Sequence, residues 1–464
     1  METPLQRLCR NINTPEDATH IKVLLDNGAN YLLADMNGIT PAMYICNSND
    51  ETLFDHFLNI IPDINMALNP DKDTALHITV RSGVRCRVLK VLKRRPNVNR
   101  QNKEGDTPVH LAVSVTRHRL LEDLVEHGGD INAHCNFKLT PLHLVGKTGC
   151  TDVLFSVLKC NPNLNQPDLN GHTPLMFLLK FHYGQIHLIT ALIDHGADPT
   201  ITDTFGYNCL HYISSSNRYS SDVLDELTRL FIECGTDIDY QFSNSHMSAL
   251  HIAINLGYRM MTYILLRHGA SLEQTNFLDD TPLDNAICSR DTRVTSEVLS
   301  FIALRGEPLE KFLCKKYDDL EPLISLYDKY LKELDILKQL HVGEHGLTQY
   351  DVLTAPIRKI VIYLNQGVNL EYFDCLNLSD YPCLYRLHMS HKIKDAKKYR
   401  VAVRTVDCFL EDVFSLHPVP LPSEVVHQIT HTLGFYEVLR LHRVLSVQAD
   451  QQMKKDLSIF ASGC

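Results

Sequence analysis

Five histidines, His77, His110, His143, His211 and His251, are the first side chains to weigh for chemistry, because imidazole can serve as acid, base or metal ligand. Fourteen cysteines add possible thiolates. Neither set is spaced for such work. The histidines recur at one position of a repeating segment, and stacked segments hold them roughly 10 Å apart, about one helix diameter, too far to converge on one ion. The cysteines lie singly from Cys9 to Cys464; no Cys-x-x-Cys pair occurs, and the closest neighbours, Cys150 with Cys160 and Cys375 with Cys383, lack a histidine cluster at zinc spacing. Gly-x-Gly, Gly-x-Ser-x-Gly and His-Glu-x-x-His are absent, and Gly146-Lys147-Thr148 has Pro141 where a phosphate loop needs its first glycine. The sequence therefore offers no catalytic centre, no metal site and no cofactor, and the thiols read as reduced, small apolar side chains of an intracellular protein.

The elements that carry the histidines repeat. Thr40-Pro41, Thr74-Ala75, Thr107-Pro108, Thr140-Pro141 and Thr173-Pro174 open equivalent segments at steps of 34, 33, 33 and 33 residues. Thr3-Pro4 precedes them; Asn208-Cys209, Ser248-Ala249 and Thr281-Pro282 follow less regularly. Each Thr suits a helix N-cap, and each Pro suits the first helical position, where its missing N–H is not needed. A second helix ends in an apolar pair and a turn glycine, as in Leu192-Ile193 with Gly196 and Ile264-Leu265-Leu266 with Gly269. Such a glycine takes the left-handed conformation that closes a helix.

From turn glycine to next cap the step is 12 in Gly28 to Thr40, Gly128 to Thr140, Gly196 to Asn208 and Gly269 to Thr281. From cap to glycine it stretches from 21 (Thr107 to Gly128) to 27 (Asn208 to Gly235), so the extra residues fall within or between the helices. Ser214 to Ser221 reads as a polar insertion between two helices, tolerated at the surface. The copies Thr107-Pro108-Val109-His110-Leu111-Ala112 and Thr140-Pro141-Leu142-His143 resemble the ankyrin repeat. Nine repeats are expected, the first and last atypical, with the histidines hydrogen-bonding between neighbouring loops, as the resemblance implies. Ala42-Met43 marks a degenerate second repeat, and Asp284 replaces the histidine of the last. A further degenerate copy is expected within 347–370.

The net charge of −10 excludes a protein devoted to nucleic acid phosphates. The basic run from His388 to Arg404 reads as a solvated helix face. No run of about eighteen apolar residues spans a membrane, and Met1 to Asn13 lacks the apolar core of a secretory signal. The chain is thus expected to be soluble, not secreted, in the cytoplasm or the nucleus.

Beyond residue 307 the strict period fails. Leu309 to Leu340 reads as helical, with a new start at Pro322. His417-Pro418-Val419-Pro420-Leu421-Pro422 must be extended. After it Pro422 and Glu424 suit a helix start, and Val425, Val426, Ile429 and Leu433 form one apolar stripe. Past Gly434, Val438-Leu439-Arg440-Leu441-His442-Arg443-Val444 reads as a second amphipathic helix.

The residues Leu421, Pro422, Glu424, Val425, Val426, Ile429 and Leu433 resemble the first run of an F-box, and Val438, Leu439 and Val444 match its second helix loosely. Only twenty residues follow Val444, and the motif lies after the repeats rather than before them. Both departures are shared by the poxvirus ankyrin proteins that end in an F-box-like PRANC domain. Tyr330 to Leu340 followed by Gly346 to Leu353 is similar to the linker of that family.

The fold expected is all-α: an ankyrin solenoid of helix pairs with β-hairpin loops over 1–306, a helical linker over 307–385, and an F-box-like domain over 386–464. The resemblance implies a non-enzymatic adaptor, whose C-terminal helices contact the Skp-family subunit of a host SCF (cullin–RING) ubiquitin ligase through Leu421, Pro422, Glu424, Val425, Val426, Ile429, Leu433, Val438 and Leu439. The ankyrin face would hold a host protein, with no nucleic acid and no membrane as partner. Hairpin-tip candidates for that contact are Lys103, Glu104, Phe137, Lys138, Thr204, Phe205, Phe277 and Leu278, exposed aromatics being favoured anchors. The competing expectation is a protein that sequesters its target, with the terminal helices as a cap. An enzyme site within 307–416 is the other alternative.

Overall fold

A computed structural model describes residues 2–415, apart from 13, 182–184, 315–316, 318–319, 343–346, 356–359 and 361–384. Nine helix pairs run in sequence. The first four are α1 (Pro4–Arg10) with α2 (Pro15–Asp26), α3 (Pro41–Asn47) with α4 (Glu51–Ile60), α5 (Ala75–Ser82) with α6 (Arg85–Lys93), and α7 (Pro108–Ser114) with α8 (His118–Glu126). Then come α9 (Pro141–Thr148) with α10 (Thr151–Lys159), α11 (Pro174–Phe181) with α12 (Ile186–Asp194), and α13 (Cys209–Ser214) with α14 (Ser221–Glu233). The last are α15 (Ala249–Asn255) with α16 (Arg259–Arg267), and α17 (Pro282–Ser289) with α18 (Thr292–Arg305).

The caps form as the residue types dictate. Thr3, Thr14 and Thr281 each close a reciprocal capping box with the side chain three residues on. Gly28, Gly196 and Gly269 take φ of 79°, 105° and 95°, ending their helices in the left-handed region. Inward-facing Leu76, Leu142, Leu175, Leu210, Leu250 and Leu283 are almost wholly buried, one per first helix. Each pair leaves an apolar face that only its neighbours cover, so stability accrues by stacking. The connecting hairpins carry no β-strand among the described residues; the sole strand pair is β1 (His341–Val342) with β2 (Leu347–Thr348). Isolated turns joined by single backbone bonds replace the expected β-ladders.

The Ser214 to Ser221 insertion does connect α13 and α14. It is less of a bystander than its polarity predicts. Tyr219 is buried, and its hydroxyl donates to the Leu179 carbonyl at 2.6 Å, near the end of α11.

The described chain divides into two compact units: residues to 298 with 312–315, and 299–311 with 316 onward. In the second, α19 (Glu321–Gln339) starts with Pro322 in its first turn, as expected, although 313–320 is not helical where described. Helix α20 (Gln349–Thr354) is capped by Thr348, the same device that opens a repeat; residues 361–370 of the expected degenerate copy lie outside the described residues. Helix α21 (Arg386–Ser415) holds the basic run. Lys394 and Lys398 are exposed. His388 is not part of a solvated face: it is buried beside the Phe301 ring at 4.6 Å, 3.3 Å from the Ser300 hydroxyl. Its apolar neighbours Met389 and Ile393 explain why that side of the helix turns inward.

Four cysteines, Cys9, Cys46, Cys135 and Cys209, are buried as small apolar side chains, and burial pushes the Cys9 and Cys46 thiols up to about 12. Cys86, Cys234, Cys288 and Cys314 are exposed instead, so the packing account covers only part of the set.

Candidate functional site

The hairpin tips are the most exposed ordered features of the stack, and the backbone that presents them is tightly specified. Asp35, Asn102, Asp168, Asp203 and Asn276 each turn a side-chain Oδ1 back onto two backbone N–H groups, two and four residues on, at 2.8–3.1 Å. Three residues past each such side chain the backbone is left-handed. Gly38, Gly105, Gly171 and Gly206 occupy that position, as does Asp279 (φ 59°), and at the tip that follows Cys135 instead of an Asp or Asn, Lys138 (φ 57°) is left-handed too.

Backbone bonds tie successive tips. Lys103 N–H donates to the Asp71 carbonyl at 2.7 Å, Asn136 to Glu104 at 3.0 Å, Leu169 to Phe137 at 3.2 Å and Thr204 to Asn170 at 3.0 Å. Further along, Phe277 donates to Ser245 at 3.0 Å. The expected contact residues therefore sit on neighbouring hairpins in fixed register. All the tip candidates, Lys103, Glu104, Phe137, Lys138, Thr204, Phe205, Phe277 and Leu278, are exposed. Phe137 keeps 62%, Phe205 56% and Phe277 66% of its surface open, so none of the three folds back along its hairpin.

The sequence reading missed Leu169, 53% exposed, and Met36, fully exposed. Both occupy the first residue after the Asx position, and aligning the tips on that Asp or Asn would have found them. Phe137, Leu169 and Phe205 thus supply one exposed apolar side chain on each of three consecutive tips, an apolar strip in the order of the repeats. The F-box-like residues Leu421, Pro422, Glu424, Val425, Val426, Ile429, Leu433, Val438 and Leu439 lie outside the described residues.

The recurrent histidines hold this surface together. His77, His110, His143 and His251 accept at Nδ1 from the backbone N–H of the capping Thr or Ser, at 3.0–3.3 Å, and from its hydroxyl at 2.8–2.9 Å. The proton is thereby assigned to Nε2. That Nε2–H donates to the carbonyl 29 residues on, Asp106, Leu139, His172 and Asp280 respectively, at 3.0–3.3 Å. They cross-link one hairpin to the next. His211 makes the cap contact through Asn208, but its Nε2 forms no well-made bond and is ringed by Tyr207, Tyr240 and Phe242.

Other side chains do the same work where histidine is missing. Gln6 accepts from Thr3 N–H at 2.7 Å and donates to the Leu33 carbonyl at 2.8 Å. Where Met43 stands, the Thr40 hydroxyl reaches the Leu68 carbonyl directly at 2.7 Å. Asp284 accepts from Thr281 and from Cys314 N–H at 3.1 Å. Burial pushes the imidazoles of His110, His143 and His211 down to about 4, against the partly opposing pull of backbone carbonyls. His77 and His251 are lowered for the same reason. A neutral, doubly bonded, buried imidazole is a structural group, poorly suited to moving protons near neutrality.

Ion pairs lock the second helices. Arg85 grips Asp123 with two bonds at 2.7 and 2.8 Å, and Arg259 holds Glu297 at 2.8 Å. Burial alone would push the Asp225 carboxyl up; the hydrogen bond from His268 and the charges of Arg267, His268 and Arg229 overturn it and hold it well below the usual carboxylate range. No group of three or more His, Cys, Asp or Glu side chains suited to a metal ion occurs among the described residues.

A test of the tip geometry follows from Lys138. A left-handed lysine is strained by roughly 1 kcal/mol relative to glycine. Lys138→Gly is therefore expected to raise the stability of the stack by about that amount in denaturant titration, while weakening capture of any partner that uses the tip. A loss of stability would show that the Lys138 side chain is itself a packing element.

Comparison with known proteins bears on the same segments. The family described as "Ankyrin repeats (3 copies)" matches residues 42–135, 77–168, 116–203 and 176–276, together about half the chain. NF-kappa-B inhibitor zeta of Mus musculus is 26% identical over 267 residues, covering 48% of this chain and 36% of that protein. The B-cell lymphoma 3 protein homolog of Mus musculus is 25% identical over 195 residues, covering 40% of this chain and 42% of that protein. The matched segment thus spans well under half the length of these curated relatives. The crystal structure of the ankyrin repeat domain of Bcl-3 is 26% identical, covering 49% of this chain and 99% of that one, with a TM-score of 0.44. No catalytic family is indicated, and no helix among the described residues is long and apolar enough to cross a membrane. Capped helix pairs, histidine cross-links and the matched repeats converge on one assignment: this chain belongs to the ankyrin-repeat family.

Proposed function

We propose that this chain is a substrate adaptor of the poxvirus ankyrin–PRANC type, in which the repeats hold a host protein and the C-terminal segment recruits a host SCF ubiquitin ligase. The single observation that carries the reading is the order of parts: an ankyrin stack followed by Leu421-Pro422-Ser423-Glu424-Val425-Val426 and the stripe Ile429, Leu433. The division into stack (1–306), linker (307–385) and F-box-like domain (386–464) belongs to the same proposal. The apolar stripe suits a helix-in-groove contact with a Skp-family subunit, and the exposed tips suit capture of a folded or extended protein segment. The site of action is the host cytoplasm or nucleus.

Co-purification from host cells tests this. The full chain is expected to bring down the Skp-family adaptor and cullin; a chain ending before His417 is expected to recover neither. Equal recovery by both, or by neither, rejects the adaptor role. The second reading, sequestration without ligase recruitment, is favoured by one specific observation: the relative matched over 267 residues is named an inhibitor of NF-kappa-B. On that reading the bound host factor is inactivated but not degraded.

A further inference from the structure

The tips that carry Leu169 and Phe205 have an unusual electrostatic floor. Asp168 and Asp203 are only 8% and 7% exposed. Asp168 Oδ2 lies 3.2 Å from His172 Nδ1; Asp203 Oδ2 accepts from the Tyr212 hydroxyl at 2.7 Å and lies 3.8 Å from His172 Nε2. Among the described residues neither carboxylate has a lysine or arginine partner. Elsewhere in the stack Asp73 is paired with Arg81, Asp123 with Arg85, Asp225 with Arg229 and Glu297 with Arg259.

Rings surround this floor. Phe177 and Tyr212 stand edge-on to His172 at 5.9 and 6.0 Å, and Phe181, 44% exposed, packs 5.6 Å from Phe177. Lys180, on the same helix, sits 5.9 Å over the Phe181 ring. Leu169 and Phe205 stand on the same tips as Asp168 and Asp203, Phe137 stands on the tip before them, and the exposed cations Lys103 and Lys138 lie on the upstream tips.

Resting on the reading that the ankyrin face holds a protein, we propose that this face receives a basic, apolar segment of the partner: an arginine or lysine flanked by hydrophobic side chains. Three observations select that occupant. The strip supplies a dry contact for the flanking residues. The sunken carboxylates are poorly screened and set a negative potential at the downstream end. The neighbouring rings favour a guanidinium over a carboxylate.

The test uses a random twelve-residue peptide library selected on the full chain, and then on two variants. Asp168→Asn with Asp203→Asn removes the charge and keeps the two Oδ1 turn bonds, which asparagine already makes at Asn102 and Asn276, while giving up the Oδ2 contacts with His172 and the Tyr212 hydroxyl. Phe137→Ala with Leu169→Ala and Phe205→Ala removes the strip. Peptides selected on the native chain are expected to carry arginine or lysine among apolar residues. They are expected to bind each variant at least tenfold more weakly, and to weaken likewise when arginine is replaced by citrulline. Acidic peptides, or peptides lost on the strip variant but indifferent to the aspartate change, overturn the proposal and leave the ankyrin-face reading intact. Peptides indifferent to both variants, or no enrichment at all, count against that reading as well. Thermal melts matching the native chain certify that each variant is folded.

Discussion

Acidification from pH 7 to pH 5 is expected to remove several kcal/mol from the stability of the ankyrin stack, an effect larger than any surface ion pair supplies. His110, His143 and His211 are held at about 4 in the folded chain, whereas an unfolded histidine titrates near 6.5. Above about pH 6.5 both states are neutral and the histidines contribute no pH dependence. As pH falls, the unfolded chain takes up protons first, so stability drains away between about 6.5 and 4 and then levels off. At pH 5 each of the three contributes a loss of about 2 kcal/mol. Urea titrations of the full chain at pH 7, 6 and 5 read this directly; a midpoint unchanged over that range would refute it.

The chain itself suggests the control. Gln6 makes the same pair of bonds as the histidines without an ionisable proton. Replacing His110, His143 and His211 by glutamine should keep neutral-pH stability within about 1 kcal/mol per site while flattening the acid response. Alanine at 110 or 143 would orphan the capping hydroxyl and the next carbonyl, costing about 2 kcal/mol per site at any pH.

The second large effect concerns two glycines with the same backbone angle and different surroundings. Gly38 (φ 77°) and Gly171 (φ 80°) hold equivalent left-handed turn positions. A Cβ on Gly38 would meet nothing within 4 Å, so Gly38→Ala is expected to cost only the left-handed strain, about 1 kcal/mol. A Cβ on Gly171 would come within 2.6 Å of Thr204 N and 2.9 Å of Asp203 Cα. The next hairpin must then move, breaking the Thr204-to-Asn170 bond. Gly171→Ala is expected to cost about 3 kcal/mol, strain plus the displaced bond, and to shift Phe205 out of register with Leu169. Denaturation midpoints of the two variants measure the difference; equal losses would mean that the tips are not packed on one another.

Most of the stack was legible in the sequence because its determinants are local. Thr-Pro opens most of the first helices, a glycine closes most of the second ones, and the period of about 33 residues between them leaves one way to stack. The histidines were read correctly as structural, since their spacing forbids convergence. What escaped were features set by neighbours in space. Nothing local marks Tyr219 as the anchor of its loop, because its acceptor is the Leu179 carbonyl, forty residues earlier. The basic run misled over His388 because charge pattern alone does not reveal that Phe301 and Ser300 lie against one side of the helix. At the tips, aromatic residues stood out by type, whereas Leu169 is conspicuous only once its turn is aligned with the others.

The cross-links have a consequence for synthesis. Each histidine bond reaches forward 29 residues, so each cross-link can close once the following hairpin has left the ribosome, with the ion pairs between second helices closing one helix later. Contacts this short close quickly. The stack can set progressively from its first repeat, and its tips can be presented while the residues beyond the last helix pair are still being translated. Capture of a partner by the repeats would then precede, in time as in sequence, anything that the tail does.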